Sequence, residues 1–169
     1  MTAYSEHMRT ALLCALLLVA AAPAPAALPK AGTLVPGRSL GGVRLGETAP
    51  KVRAALGGSY GVCRGCAVTT WYFTYRPFDR HGLAVELVGG RVSGVYTIWE
   101  PNGWRTPGGL RLGASEADLQ TLAGPLVPIV CSGYDARIRD EVDVRTVYYV
   151  FRGRLWGFGL LPAHANPCR

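Results

Sequence analysis

The chain has 169 residues, with 18 Lys or Arg against 11 Asp or Glu and a net charge of +7. A domain of this length can bury a core of its own. Its basic residues are scattered, with no run of three, which argues against the clustered footprint of a nucleic-acid-binding surface. Residues 1–26 read as a secretory signal peptide. Met1 to Arg9 is a polar start, TALLCALLLVAAA (10–22) is apolar, and Ala24-Pro25-Ala26 offers a small-residue cleavage site. The apolar run is too short, and too soon broken by proline, to span a bilayer, so no stable membrane span is expected after cleavage. Cys14 lies inside that run and is a poor lipidation site. Residues 27–35 are expected to form a flexible arm.

Residues 36–98 read as a first unit of helix and strands. Thr48 is placed as a helix N-cap, Pro50 in the first turn, Val52, Ala55 and Leu56 on one apolar face, and Gly57 as the stop. A helix of about two turns cannot stand alone and must lie on a sheet. VTTWYFTY (68–75) is rich in aromatic and β-branched residues, as strands are. RPFDRHG (76–82) is a basic tip loop. LAVELV (83–88), Gly89-Gly90 and RVSGVYTIW (91–99) form a hairpin whose two-residue turn needs positive φ. WEPNGWRTP (99–107) is the linker.

Residues 108–169 then run through the same order again. PGRSLGGVRLGETAPKVRAALG (36–57) laid over GWRTPGGLRLGASEADLQTLAG (103–124) gives seven identities in 22 positions without a gap. Ser115 caps the second helix with Asp118 three residues on, Leu119 and Leu122 share its apolar face, and Gly124 stops it. DARIRDEVD (135–143) is an acidic loop in the place of the first tip loop. RTVYYVF (145–151), Arg152-Gly153 and RLWGFGLL (154–161) repeat the hairpin. The fold expected is α+β: two tandem units of short helix plus antiparallel β-meander, making one sheet with helices on one face.

GGVRLG (41–46), followed by Glu47-Thr48, has the outline of a phosphate-binding loop. That motif needs Lys before the hydroxyl residue. Here the position holds Glu47, and Ala114 in the second copy, so the stretch reads as the structural entry to each helix. Leu45 and Leu112 are expected to point inward. Four cysteines remain after the leader: Cys63, Cys66, Cys131 and Cys168. An even count in an exported chain points to two disulfides. Three pairings are open. A four-residue turn brings its ends within reach of a bridge, which favours Cys63–Cys66 and hence Cys131–Cys168. Cys63-Arg64-Gly65-Cys66 also has redox spacing, but such pairs open a helix and here a strand follows.

The unit, G-(V/L)-R-L-G-x-(T/S) opening a short helix that ends in Gly, then a strand with Trp71 and a hairpin, resembles the BamE (SmpA/OmlA)-like module. Its tandem form in an exported, disulfide-bearing chain is similar to the β-lactamase inhibitor protein family. The resemblance implies a curved continuous sheet with helices on its convex side. It also implies a protein-binding task, as an envelope accessory subunit or an enzyme inhibitor. The chain lacks the lipidated Cys of the envelope subunits, and no target-binding residue carries over.

Strict alternation along the hairpins assigns the faces. Leu83, Val85, Leu87, Val92, Gly94, Tyr96 and Ile98 fall on the core face, with Ala84, Glu86, Val88, Arg91, Ser93, Val95, Thr97 and Trp99 opposite. In the second hairpin Tyr148, Val150, Leu155 and Gly157 face the core. Val147, Tyr149, Phe151, Arg154, Trp156, Phe158 and Leu160 face away. An outer face bearing Tyr149, Phe151, Trp156, Phe158 and Trp99 with Arg91 and Arg154 is apolar and of hot-spot composition. It points to a protein partner. The leading expectation is therefore an exported, non-enzymatic protein-binding module without cofactor or metal. Only His81 and His164 remain in the mature chain, both in apparent loops, and Asp140, Glu141 and Asp143 lack calcium-loop spacing. The rival is a secreted thiol-redox or hydrolytic enzyme.

Overall fold

The computed structural model describes residues 32–76 and 78–169. The expected signal peptide (1–26) and the start of the arm lie outside the described residues. The elements are β1 (Leu34–Val35), β2 (Ser39–Leu40), α1 (Ala49–Leu56), β3 (Gly61–Val62), β4 (Thr69–Thr74), β5 (Gly82–Val88) and β6 (Arg91–Ile98). After these come α2 (Glu116–Ala123), β7 (Val127–Val130), β8 (Asp135–Asp140), β9 (Val144–Phe151) and β10 (Arg154–Pro162). Among the described residues the chain is mostly β. Eight strands form one antiparallel sheet in the order β3-β4-β5-β6-β10-β9-β8-β7, and β1 and β2 form a small hairpin.

This corrects the expected α+β architecture of helix-plus-meander units roofed by helices. Each helix has eight residues, about 12 Å of length at 1.5 Å per residue. Eight strands at about 4.8 Å spacing make a sheet roughly 34 Å wide. Two such helices cannot cover it. Much of the cover comes instead from irregular chain. Leu34, Leu40, Val43, Trp104 and Leu110 are all buried in the main core cluster beside Val52, Leu56 and Leu119 of the helices. From Gly32 onward the expected flexible arm is packed, with Leu34 fully buried. The expected linker holds Trp104, 1% exposed, whose indole Nε1 donates to the Tyr75 hydroxyl. The acidic segment expected as a loop over 135–143 is strand β8 followed by a turn. Asp140 there is paired to Arg145, and Glu141 to Arg139.

The two helix-entry loops are held by matching contacts. Gly46 N donates to Val92 O and Val92 N to Glu47 O; Gly113 N donates to Leu155 O and Leu155 N to Ala114 O. Arg91 Nη1 donates to Gly46 O and Arg154 Nη1 to Gly113 O, each at 3.0 Å. The Arg44 amide donates to the Glu47 carboxylate at 3.1 Å. With these amides spent within the fold, the loop has no cradle for phosphate. Val43 and Leu110 are the deeply buried anchors, while Leu45 and Leu112 are only partly buried against the core. On α2 Ala123 rather than Leu122 completes the buried stripe, and Leu122 is 49% exposed.

Both hairpins turn through two residues at positive φ: Gly89 and Gly90, and Arg152 and Gly153. Both also carry a β-bulge that strict alternation ignores. In β6 the register passes from Leu87↔Val92 to Glu86↔Gly94, leaving Ser93 as the extra residue. In β10 it passes from Leu155↔Val150 to Gly157↔Tyr149, leaving Trp156 extra. Beyond each bulge the faces exchange, because side chains alternate with a period of two. Val95, Thr97, Phe158 and Leu160 therefore belong to the main core, not the outer face. Gly94, Tyr96, Ile98 and Gly157 lie on the outer face. The halves join where β6 meets β10, with Gly159 opposite Tyr96 and Leu160 opposite Val95.

Candidate functional site

The outer face of the sheet is not uniform. Over β7 to β10 it carries a second buried cluster of Ala136, Ile138, Val147, Tyr149 and Leu161. Residues 163–169 cross this cluster as a strap. Cys131–Cys168 anchors the strap, and Cys63–Cys66 closes the short loop between β3 and β4, so both favoured pairings are the ones formed. Ala163 N donates to Asp143 O, Arg145 Nη1 donates to Ala165 O, and the Tyr134 hydroxyl donates to Arg169 O at 2.6 Å. Arg169 Nε then reaches Glu86 on β5 at 3.2 Å.

Tyr149 shows why the sequence suits this cover. Its ring lies across Gly157 and Gly159 of the neighbouring strand. A methyl group on Gly157 would sit 3.1 Å from its Cδ2, and one on Gly159 3.0 Å from its hydroxyl. The two glycines thus make the recess that lets a tyrosine lie flat on the sheet. Tyr149 is 2% exposed and its hydroxyl has no hydrogen-bond partner, and the Trp156 Nε1 likewise has none, among the described residues. Burial holds the Tyr149 phenol far above its usual range. Burial, then the nearby Glu86 carboxylate, does the same for Tyr96. Both hydroxyls stay protonated in any physiological medium.

Between the strap and the β3–β6 half runs a groove of about 330 Å³, lined by Tyr72, Tyr96, Thr97, Ile98, Trp99, Tyr134, Tyr149, Trp156 and Arg169. It continues into a recess of about 350 Å³ between Trp99, Glu100, Tyr134, Phe151 and Trp156. Tyr134 and Trp156 meet edge to face at 5.7 Å between centroids. Trp99 is 51% exposed and Phe151 45%. Such rings combine large apolar area with few torsions to freeze, which suits them to binding.

Of the residues expected on the partner-binding face, Trp99, Tyr149, Phe151 and Trp156 come together here. Phe158 does not: it is fully buried in the main core against Tyr148. Arg91 and Arg154 do not either, since they tie down the helix-entry loops. Sequence pattern does not single out Tyr72, Tyr96, Tyr134 or Arg169. The bulge hides Tyr96, Tyr134 stands just before β8 on the side of Ala136 and Ile138, and only the strap brings Arg169 to the face. Cys66 is exposed, but no helix begins at the Cys63–Cys66 loop; strand β4 follows it. His81 pairs with Asp79 at 3.0 Å in a solvent-facing loop. No nucleophilic hydroxyl or thiol is bonded to this imidazole among the described residues.

Comparison with known proteins yields little. No family model matches the chain. No curated protein matches it. Among solved structures, an extracellular protein containing an SCP domain from Bacillus anthracis str. Ames aligns with a TM-score of 0.48 and 11% identity. The alignment covers 70% of this chain and 44% of that one, so the chain spans less than half of that protein's length. The likeness is too slight to bear on fold or activity.

Proposed function

We propose that the chain is an exported, non-enzymatic protein-binding module whose docking surface is the aromatic groove at the seam of the sheet. The carrying observation is the convergence of aromatic side chains on that groove, two of which, Trp99 and Phe151, stand half in solvent. Patches of this kind on monomers mark interaction sites. Two disulfides favour an oxidising compartment, outside the cytosol. Whether the task is inhibitor-like or tied to the envelope follows from the partner.

The test is affinity capture with the chain from residue 27 onward as bait, beside a Trp99→Ala/Phe151→Ala double variant. Both side chains are exposed, so the variant is expected to keep its thermal midpoint. A protein retained by wild type and lost with the double variant supports the reading. Retention of every captured protein by the folded variant removes it. Thiol titration addresses the rival redox reading, which requires free or readily reduced cysteines where the binding module has none.

A further inference from the structure

The two exposed rings of the groove each carry a cation. The Arg80 guanidinium carbon lies 5.4 Å from the Trp99 ring centroid, and that of Arg152 lies 5.1 Å from the Phe151 centroid. The attraction of a ring face for a cation holds such a side chain in place while leaving its N–H donors for another partner. Neither guanidinium has a carboxylate within ion-pair distance among the described residues. Glu100 is the one acid lining this recess, and its Oε1 reaches toward the Gly113 loop, 2.7 Å from the place a Gly113 side chain would take. The third arginine of the groove, Arg169, is already matched by Glu86. The open end is therefore apolar on its walls, with two guanidinium groups against the single carboxylate of Glu100, in a chain of net charge +7.

We propose that the groove takes an acidic protein segment. Its carboxylates meet Arg80 and Arg152, and its apolar side chains lie against Trp99, Phe151 and Trp156. This rests on reading the groove as a docking surface and adds the charge of what docks. A basic segment would bring like charge onto two unpaired guanidinium groups, a costly placement at an interface. Single-stranded nucleic acid also likes rings and cations, but it needs a basic track along several nucleotides. Here the unpaired cations are two, at one end.

A random decapeptide display library, selected at low salt against the purified chain, tests the idea. The expected result is enrichment of peptides with Asp or Glu beside apolar residues. A selected peptide should weaken roughly tenfold with Arg80→Gln/Arg152→Gln, as expected for two exposed ion pairs, and weaken likewise as salt screens them. It should lose binding altogether with Trp99→Ala/Phe151→Ala. Neutral or basic peptides that still need Trp99 and Phe151 would overturn the acidic assignment and leave the docking surface standing. Acidic peptides that need the two rings but are indifferent to the arginine pair would overturn it in the same way. Peptides indifferent to both pairs, or no enrichment at all, would overturn both ideas. A thymidine decamer bound more tightly than any selected peptide would overturn the assignment to protein.

Discussion

The half of the sheet from β3 to β6 and the half from β7 to β10 share helix-entry loops, two-residue turns and bulges, yet their outer faces differ. The second half is sealed. Val147, Tyr149 and Leu161 are at most 2% exposed beneath a strap pinned by Cys131–Cys168. On the first half no second buried cluster forms among the described residues; the face carries Thr70, Tyr72, Ala84 and Glu86. Thr70 and Ala84 are buried there and Tyr72 and Glu86 partly so, but no disulfide-pinned strap crosses that half among the described residues. The groove runs at the boundary between the strapped half and the half without a strap. The groove is the product of an asymmetry between two halves that share helix-entry loops, two-residue turns and bulges.

Breaking the comparison begins in the core. Phe158→Ala should cost about 3–5 kcal/mol, the range for a large aromatic lost from a packed interior. Phe151→Ala, seven residues earlier on the outer face, should stay within about 0.5 kcal/mol. Urea titration of both variants checks the face exchange at the Trp156 bulge. Equal effects would contradict it.

The strap comes next. Replacing Cys131 and Cys168 by Ser should cost about 4 kcal/mol in the chain-entropy model, against about 2 kcal/mol for the Cys63 and Cys66 pair, because the closed loop is far longer. The longer pair is separated by 37 positions in the chain and the shorter by three. Hydrogen exchange sharpens the result. Amides of 147–149 and 159–161 should lose protection in the first variant alone, if the strap is what seals that half.

The helix starts give the smallest contrast. Ser115 forms a full capping box with Asp118, whereas Thr48 makes no side-chain cap bond. Ser115→Ala should cost about 1 kcal/mol and Thr48→Ala a few tenths. The hydrogen bonds from the Ser115 side chain and backbone hold Asp118 below its ordinary carboxylate value. A depressed folded pKa means the contribution is present above the unfolded value, about 3.9, and is lost as pH falls through the folded one. Wild type should therefore lose stability over that acid window, and Ser115→Ala should lose less. Thr48→Ala should leave the acid dependence unchanged, since Lys51 stands where Asp118 does.

Much of the local structure was legible in the chain. Gly89-Gly90 and Arg152-Gly153 demanded tight turns, and Gly57 and Gly124 ended helices. The Cys63–Cys66 spacing left little choice of pairing. The aromatic residues that meet in the groove were also visible as an excess of rings in strands. Their faces were not, because a bulge costs one residue and flips everything after it. A signal did exist: Gly94 and Gly157 each follow the bulged residue, and glycine inside a strand pattern often marks such a site.

The sequence by itself determined the turns, the strands of the two hairpins, the helix entries and the disulfide partners, since each depends on neighbours within a few residues or on a count of cysteines. Tertiary structure alone decided that β6 would pair with β10, that Trp104 of the linker would fill the core, and that residues 163–169 would fold over one half of the outer face. These rest on contacts between segments far apart in the chain. No local propensity encodes them, and only the burial of particular surfaces against one another selects them.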